Sequence, residues 1–158
     1  TGGEPLLRDD LYDFITIGKE LGLAVALLTN GTLLTERWAR LLRDADVDTY
    51  VSLDSIEPLY HESLRGGFDS TMRGLKYLYR ADVPHKTITT TVSRANLGEL
   101  GSLAEYAKAQ EFDIRFQPIA VPTADPLSLA RSSPEERRQL YRVLLLGLRS
   151  VIRSGTLG

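Results

Sequence analysis

The chain has 158 residues, a length that corresponds to one domain or part of one. Its formal net charge of −2 gives no basic footprint for nucleic acid, and no apolar run approaches the ~20 residues that a membrane span needs. The absence of cysteine excludes disulfides and thiolate ligation by this chain, and the two histidines, His61 and His85, are too far apart in sequence to suggest a zinc site.

The chain opens on a glycine-rich turn, Thr1-Gly2-Gly3-Glu4-Pro5, just before the first predicted helix. Adjacent glycines permit a sharp turn and a close approach of a ligand, because neither carries a Cβ. Glu4 adds a carboxylate, and α/β folds place ligand-binding loops in front of helix N-termini. Taken alone, the motif also fits an ordinary Gly-Gly loop.

Apolar periodicity then predicts helices and strands in alternation. Helices are expected over 9–21, from 35 to about 45, over 69–81, from 96 and from 133 to 155. Strands are expected over 23–29, 47–53, 86–92 and 113–119. The continuous apolar run of the first strand is typical of a strand covered on both faces. Phe14 and Tyr79 are expected on the inward faces of their helices.

Local signals place two helix starts. Asn96 is followed three residues later by Glu99, which predicts an N-cap at Asn96. Ser133, Pro134 and Glu136 form a cap, an N1 proline and a capping-box acid. The long connection after the second strand is rich in special residues and is expected to be an exposed, functional loop; it contains Pro58, His61, Arg65, Gly66 and Gly67.

Strands that alternate with helices predict an α/β fold with a parallel sheet and right-handed crossovers. The carboxyl ends of parallel strands form one rim, where ligands bind. The residues predicted on this rim are Thr1–Glu4, Thr29–Asn30, Ser52–Asp54, Ser93–Asn96 and Gln117. No strand precedes the glycine turn, so the expected architecture is a partial TIM-like (β/α) barrel, truncated at its N-terminus.

Five segments in order resemble motifs of radical S-adenosylmethionine (SAM) enzymes, over residues 1–119. They are Thr1-Gly-Gly-Glu-Pro-Leu6, Leu28-Thr-Asn-Gly31, Val51-Ser-Leu-Asp-Ser55, Leu64-Arg-Gly-Gly-Phe-Asp69 and the end of the sixth barrel strand at Phe116-Gln-Pro118. The spacing from Ser52 to Asp69 is similar to that of a broad group, which contains peptide maturases, tetrapyrrole side-chain enzymes and the GTP cyclase of molybdenum cofactor synthesis.

The resemblance implies that SAM is bound on this rim. By the family's pattern, Gly2, Gly3 and Glu4 hold the SAM amino group. Ser52 and Asp54 meet its ribose or carboxylate. The adenine lies against Phe116, Gln117 and Pro118, and four further residues face SAM or substrate: Thr29, Asn30, Thr91 and Asn96. Three alternatives stay open, because Asp54 and Asn96 can serve as helix caps and Thr91 as a packed strand residue. No catalytic residue is assigned.

The family's three-cysteine loop, which ligates a four-iron–four-sulfur cluster, has no counterpart here, since thiolates are required and the chain has no cysteine. We therefore expect a fragment of a longer enzyme, with the cluster only in the full-length protein. Residues 1–120 are expected to form the radical SAM core, and residues 121–158 a linker and C-terminal helix.

The expected substrate is a peptide or a small-molecule precursor, and the expected location is the cytoplasm. No nucleic acid or membrane partner is expected. Self-association through an exposed sheet edge is a further expectation. Two other classes remain as alternatives: a catalytically silent α/β binding module, and a flavodoxin-like signalling domain, for which no acidic pair is evident at a strand end.

Overall fold

The computed structural model describes residues 3–153, with side chains described as far as residue 145. Within this range there are four strands: β1 (Ala26–Thr29), β2 (Asp48–Ser52), β3 (Lys86–Val92) and β4 (Asp113–Pro118). The α-helices of the same range are α1 (Leu11–Glu20), α2 (Glu36–Asp44), α3 (Pro58–Leu64), α4 (Phe68–Arg80), α5 (Leu100–Ala109) and α6 (Pro134–Arg153). Short 3₁₀ helices cover Pro5–Leu7, Arg94–Glu99 and Leu129–Arg131.

The four strands form one parallel sheet in the order β1-β2-β3-β4, so each strand pairs with its neighbours in sequence. The register pairs Thr29 with Val51, Ser52 with Thr89, and Thr91 with Gln117. Sequential parallel strands joined by helices are the arrangement of a (β/α) barrel. The structure therefore confirms the predicted α/β class and the segment of a TIM-like barrel.

The helices pack on one face of the sheet, and their contact with it forms the core. Side chains alternate along the strands, and the buried ones point to the helices, as Val51 and Ile88 do. These side chains join one large apolar cluster with Leu42, Leu75 and Leu78 from the helices. The packing of the helices on this face holds the carboxyl ends of the strands, which form the rim, in fixed positions.

The opposite face of the sheet is not covered by any described element, and we call it the open face. Leu28 on this face is 64% exposed, and β1 alternates exposed and buried residues. The prediction that this strand is covered on both faces is therefore wrong. Its strictly apolar composition matched a doubly covered strand, but the described helices all lie on the other side. β1 also begins at Ala26, three residues later than predicted.

Two inward-facing predictions are also wrong. Phe14 is 57% exposed, and the Arg8 guanidinium lies 4.9 Å from its ring centroid. Tyr79 is 42% exposed. Each of the two residues is next to a buried position on its helix, at the margin of the apolar face. Helical periodicity shows where this face is centred, but it does not determine which residues at its margin are buried.

Helix boundaries were predicted well where caps are local. Ser133 N donates to Glu136 Oε2 and Glu136 N donates to Ser133 Oγ at 3.1 Å, which confirms the capping box. The predicted end of this helix at residue 155 lies outside the described residues. Asn96, in contrast, is not an N-cap: the cap is Ser93, and Asn96 is the third residue of a 3₁₀ turn. Helix α3 was not predicted within the long connection.

Candidate functional site

The glycine turn is tied to the end of β1 by the Glu4 side chain. Glu4 Oε1 accepts hydrogen bonds from Leu6 N at 3.3 Å and from Thr29 Oγ1, and Oε2 accepts one from Asn30 N at 2.8 Å. Gly3 has a φ of +84°, a conformation that favours glycine, and no atom lies within 4 Å of where a Cβ would be. The turn is thus held at the rim while the Gly3 backbone faces open space. Gly2 lies outside the described residues.

Thr29 and Asn30 occupy the rim at the end of β1. Thr29 is buried, and its hydroxyl accepts from Gly31 N at 3.0 Å while it donates to Glu4. Asn30 Oδ1 accepts from Thr32 N at 2.9 Å and from Thr32 Oγ1 at 2.7 Å. Among the hydrogen bonds of the described residues, none uses Asn30 Nδ2. Thr29 therefore holds the loop, and Asn30 keeps an amide donor that can meet a ligand.

Asp54 joins the end of β2 to β3 and to the loop after α3. It is 3% exposed, and its Oδ1 accepts from Thr91 N at 2.7 Å. Its Oδ2 accepts from Arg65 Nε, and Arg65 Nη2 donates to Thr91 Oγ1 at 3.0 Å. A buried carboxylate of this kind requires such a partner. Asp54 therefore does not cap a helix, and Thr91 is more than a packed strand residue.

Asn96, in the 3₁₀ turn after β3, belongs to the same hydrogen-bond network. Its side chain is fully buried, and Nδ2 donates to Asp54 O at 2.9 Å and to Thr91 O at 3.0 Å. Its Oδ1 accepts from Ser93 N at 2.9 Å. The amide is satisfied inside the protein, so it fixes the ends of β2 and β3 relative to one another.

The other candidate residues divide between the two faces of the sheet. Ser52 and Gln117 point to the open face, Ser52 half-buried and Gln117 exposed. Phe116 points the other way and packs against the apolar core, while Pro118 is exposed at the strand end. Among the described residues, no protein group hydrogen-bonds to the side chain of Ser52 or Gln117. These two side chains therefore have free polar groups on the open face next to the rim.

A cleft of about 510 Å³ lies between the loops that follow β1 and α3. It is lined by Asn30, Thr32, His61, Leu64, Arg65, Gly66 and Gly67. His61 is 1% exposed, and its Nδ1 has no hydrogen-bond partner in the described part of the chain. Burial lowers the pKa of His61, against an opposing effect of the nearby Asp54 carboxylate, so the ring is held neutral.

His61 and Arg65 were noted in the sequence but not chosen as site residues. The two residues are four positions apart, so they lie on the same side of α3 and its C-terminal end. This spacing is the sequence feature that could have indicated that both lie near Asp54. Across residues 3–153, no group of three or more His, Cys, Asp or Glu side chains is arranged to hold a metal ion. In the same range, no helix is long and apolar enough to cross a bilayer.

Curated proteins similar to this chain are considerably longer than it. The AdoMet-dependent heme synthase of Methanosarcina barkeri is 42% identical over 112 residues, which are 68% of this chain and 32% of that protein. GTP 3′,8-cyclase 1 of Mycobacterium tuberculosis is 35% identical over 73% of this chain and 35% of its own length. The PqqA peptide cyclase of Rhizobium meliloti is 27% identical over 92% and 43%. The chain thus spans about a third to two fifths of these relatives.

Solved structures share the fold at low sequence identity. The structure of anSMEcpe with bound AdoMet superposes with a TM-score of 0.75 at 20% identity, over 98% of this chain and 46% of that one. Streptococcus suis SuiB bound to the precursor peptide SuiA gives a TM-score of 0.72 at 16% identity, over 98% and 35%. The family model described as the Radical SAM superfamily matches residues 1–107, which is more than half of the chain. The chain therefore belongs to the radical SAM superfamily of enzymes.

Proposed function

We propose that this chain is part of an enzyme that binds SAM at the carboxyl ends of β1 to β4 and acts in the maturation of a peptide, a natural product or a cofactor. Similar proteins named as a heme synthase, a GTP cyclase and a peptide cyclase support this class of reaction. Two structural neighbours, with AdoMet and with a precursor peptide, support the ligand types.

The observation that carries the proposal is the anchoring of the glycine turn to β1. Three neutral donors already bond to the Glu4 carboxylate, so its first role is to hold the turn against the end of β1. An ammonium group donates hydrogen bonds and accepts none, and the acceptors open to it are the backbone carbonyls of the turn and the second acceptor position of Glu4 Oε2. We therefore assign the SAM amino group to the backbone of Gly2 and Gly3, with Glu4 as the residue that positions them.

Free polar groups around the turn fit the rest of SAM. Ser52 has a free hydroxyl on the open face and fits a ribose hydroxyl or the carboxylate. Gln117 and Pro118 are exposed at the end of β4 and fit the adenine, with Phe116 supporting them from the core side. Asn30 offers its amide nitrogen. When bound and reduced by one electron, SAM supplies a 5′-deoxyadenosyl radical.

Four of the candidate residues hold this site through hydrogen bonds inside the protein. These residues make hydrogen bonds that join the glycine turn and the ends of β1, β2 and β3; they are Thr29, Asp54, Thr91 and Asn96. A rim whose groups are fixed in advance binds a ligand at lower entropic cost. We infer that these four residues position the SAM contacts.

A four-iron–four-sulfur cluster does not fit the residues of this chain, since its ligands are thiolates and the sequence has no cysteine. We propose that cysteines outside these 158 residues hold it in the full-length protein. The 158-residue chain, incubated anaerobically with iron and sulfide, should hold no cluster and form no 5′-deoxyadenosine. Stoichiometric iron and sulfide on this chain would contradict the assignment.

We also propose that residues 1–120 form the SAM-binding core and residues 121–158 a linker and C-terminal helix. The N-terminal half of α6 packs through Leu140 and Val143 onto Val92, Leu97 and Leu100 at the end of the sheet. Self-association through the outer edge of β1, which has no partner strand within the described residues, stays a prediction. Sedimentation velocity at high protein concentration tests it, and a monomer would contradict it.

Binding of SAM is tested by calorimetric titration of the full-length enzyme and two glycine variants. Gly3→Val adds a side chain at the proposed contact, and SAM affinity should fall about tenfold or more. Gly22→Val is the matched control: it has a similar φ of +73° and equally open surroundings, but it lies in the turn after α1. Equal SAM affinity in Gly3→Val and Gly22→Val would contradict the proposed role of the turn.

A further inference from the structure

Arg115 lies on the open face of the sheet and extends across it. It alternates with Ile114 and Phe116, which pack toward the helices, so its side chain leaves the sheet on the uncovered side. Its backbone pairs with Thr89 on β3, yet its guanidinium carbon lies 5.0 Å from the ring centroid of Tyr50 on β2, two strands away. The cation is therefore placed over the middle of the open face.

Stacking on Tyr50 orients the guanidinium without using its hydrogen bonds. A cation over an aromatic ring is attracted by the ring's negative face, while the planar fork keeps its five donors at the edge. Among the described residues, no acceptor hydrogen-bonds to Arg115 and no carboxylate lies within 4.0 Å of it. The stacked cation is fixed in place with its donors free.

The charges around Arg115 leave room for an anion on the rim side. Asp113 and Asp48 are the acidic side chains on the strands of this face. Asp113 lies one row further from the rim than Arg115, level with Thr87 and Tyr50, and Asp48 lies two rows further, level with Ala26. Ser52 lies level with Arg115, and Thr91 and Gln117 lie one row nearer the rim; all three are uncharged. The charged group at that end is the Arg65 guanidinium, which donates to Thr91 Oγ1 at 3.0 Å. An anion at Arg115 would therefore approach from the rim, with the two aspartates behind it.

We propose that Arg115, oriented by Tyr50, binds an oxyanion of the substrate, either a carboxylate or a phosphate, on the open face below the SAM rim. The inference rests on the proposed function, since the open face is a substrate surface only if SAM is held at that rim. A guanidinium fork matches both oxyanions with two parallel hydrogen bonds. Gln117, the proposed adenine contact, lies about 7 Å from Arg115 along the same strand and nearer the rim, so this anion would lie beyond the adenine from the rim.

The position also explains what the site would exclude. A guanidinium that loses water without gaining an acceptor is unfavourable, so a neutral group bound at this place would leave the cation unpaired. Arg115 therefore selects substrates whose anionic group reaches the open face below the reacting rim, near Tyr50. Lysine would keep the charge but lose the flat stacking and the fork.

The test follows the Nε–Hε resonances of arginine side chains by NMR in the 158-residue chain, at constant ionic strength and without SAM. Sodium succinate is the carboxylate probe and inorganic pyrophosphate is the phosphate probe. The Arg115 signal should shift and saturate at a probe concentration about tenfold lower than the signal of Arg73, an exposed arginine on α4 that bonds only to Ser70 in the described residues. Saturation with succinate identifies a carboxylate site, and saturation with pyrophosphate identifies a phosphate site.

Variants separate a built site from a merely exposed charge. Tyr50→Leu should weaken the Arg115 site about two- to fivefold, because the stacking is lost, whereas Tyr50→Phe should leave it unchanged. In Arg115→Lys the signal assigned to Arg115 should disappear, which identifies that signal, while the titration of Arg73 should stay unchanged. Equal half-saturation at Arg115 and Arg73 with both probes would overturn the inference. Because these titrations contain no SAM, that result would leave the SAM proposal standing, and failure of SAM binding would not alter them.

Discussion

Replacing Glu4 by glutamine distinguishes bracing of the glycine turn from direct binding of SAM. The carboxylate accepts from Leu6 N, Thr29 Oγ1 and Asn30 N, all donors. An amide offers one oxygen and one NH₂ group, so at least one of these donors would face another donor. The variant should therefore loosen the turn from the end of β1 even before SAM is added.

The expected loss follows from the bonds themselves. A hydrogen bond to a charged group contributes ~1.5–3 kcal/mol, and Glu4→Gln removes the charge from all three and the acceptor from at least one. We therefore expect the free energy of unfolding to fall by about 1.5–3 kcal/mol. For a chain of this length, that corresponds to a fall in Tm of about 3–12 °C.

Thermal melts and urea titrations of Glu4→Gln, with Glu105→Gln beside it, measure this change. Glu105 is exposed on α5 and has no ion-pair or hydrogen-bond partner among the described side chains, so its variant should stay within about 0.5 kcal/mol of the unmodified chain. An unchanged Tm together with a tenfold loss of SAM affinity would refute the bracing role. It would show instead that the carboxylate itself contacts the ligand.

Two further predictions concern the elements around the rim. Burial lowers the pKa of His61 in the folded chain below its unfolded value of about 6.5, so its contribution to stability is complete above that pH and is lost as the pH falls below it. The unfolding free energy should therefore drop more steeply between pH 7 and 5 in the unmodified chain than in His61→Gln. The control variant His85→Gln, changed at an exposed site, should keep the steep slope. Identical slopes in all three proteins would contradict this prediction. Gly74→Ala should lower the free energy of unfolding by about 1–3 kcal/mol in urea titrations, because the added Cβ would lie 2.4 Å from Gly31 O. The control Gly101→Ala, whose Cβ would have no atom within 4 Å, should be neutral or stabilising by up to about 1 kcal/mol. Equal effects of the two variants would refute the close packing at Gly74.

Local patterns in the sequence determined the order of elements and several of their ends. The β-branched run from Lys86 to Val92 forms a strand with the predicted bounds, and the Ser133–Glu136 box starts its helix. These features depend on neighbours a few residues apart, where backbone preference and capping bonds decide the conformation. The alternation of strands and helices likewise was enough for the parallel sheet, because few topologies satisfy it.

The placement of side chains was decided only by the tertiary structure. Leu28 and Phe14 are apolar yet exposed, since burial depends on whether another layer covers that face, and no local pattern carries this information. The network of Asp54, Arg65 and Asn96 joins residues 11 to 42 positions apart, so the sequence could suggest polar rim residues but not which of them bond to one another. The parallel sheet brings these strand ends together, and that proximity separates the residues that hold the rim from those with groups free for a ligand.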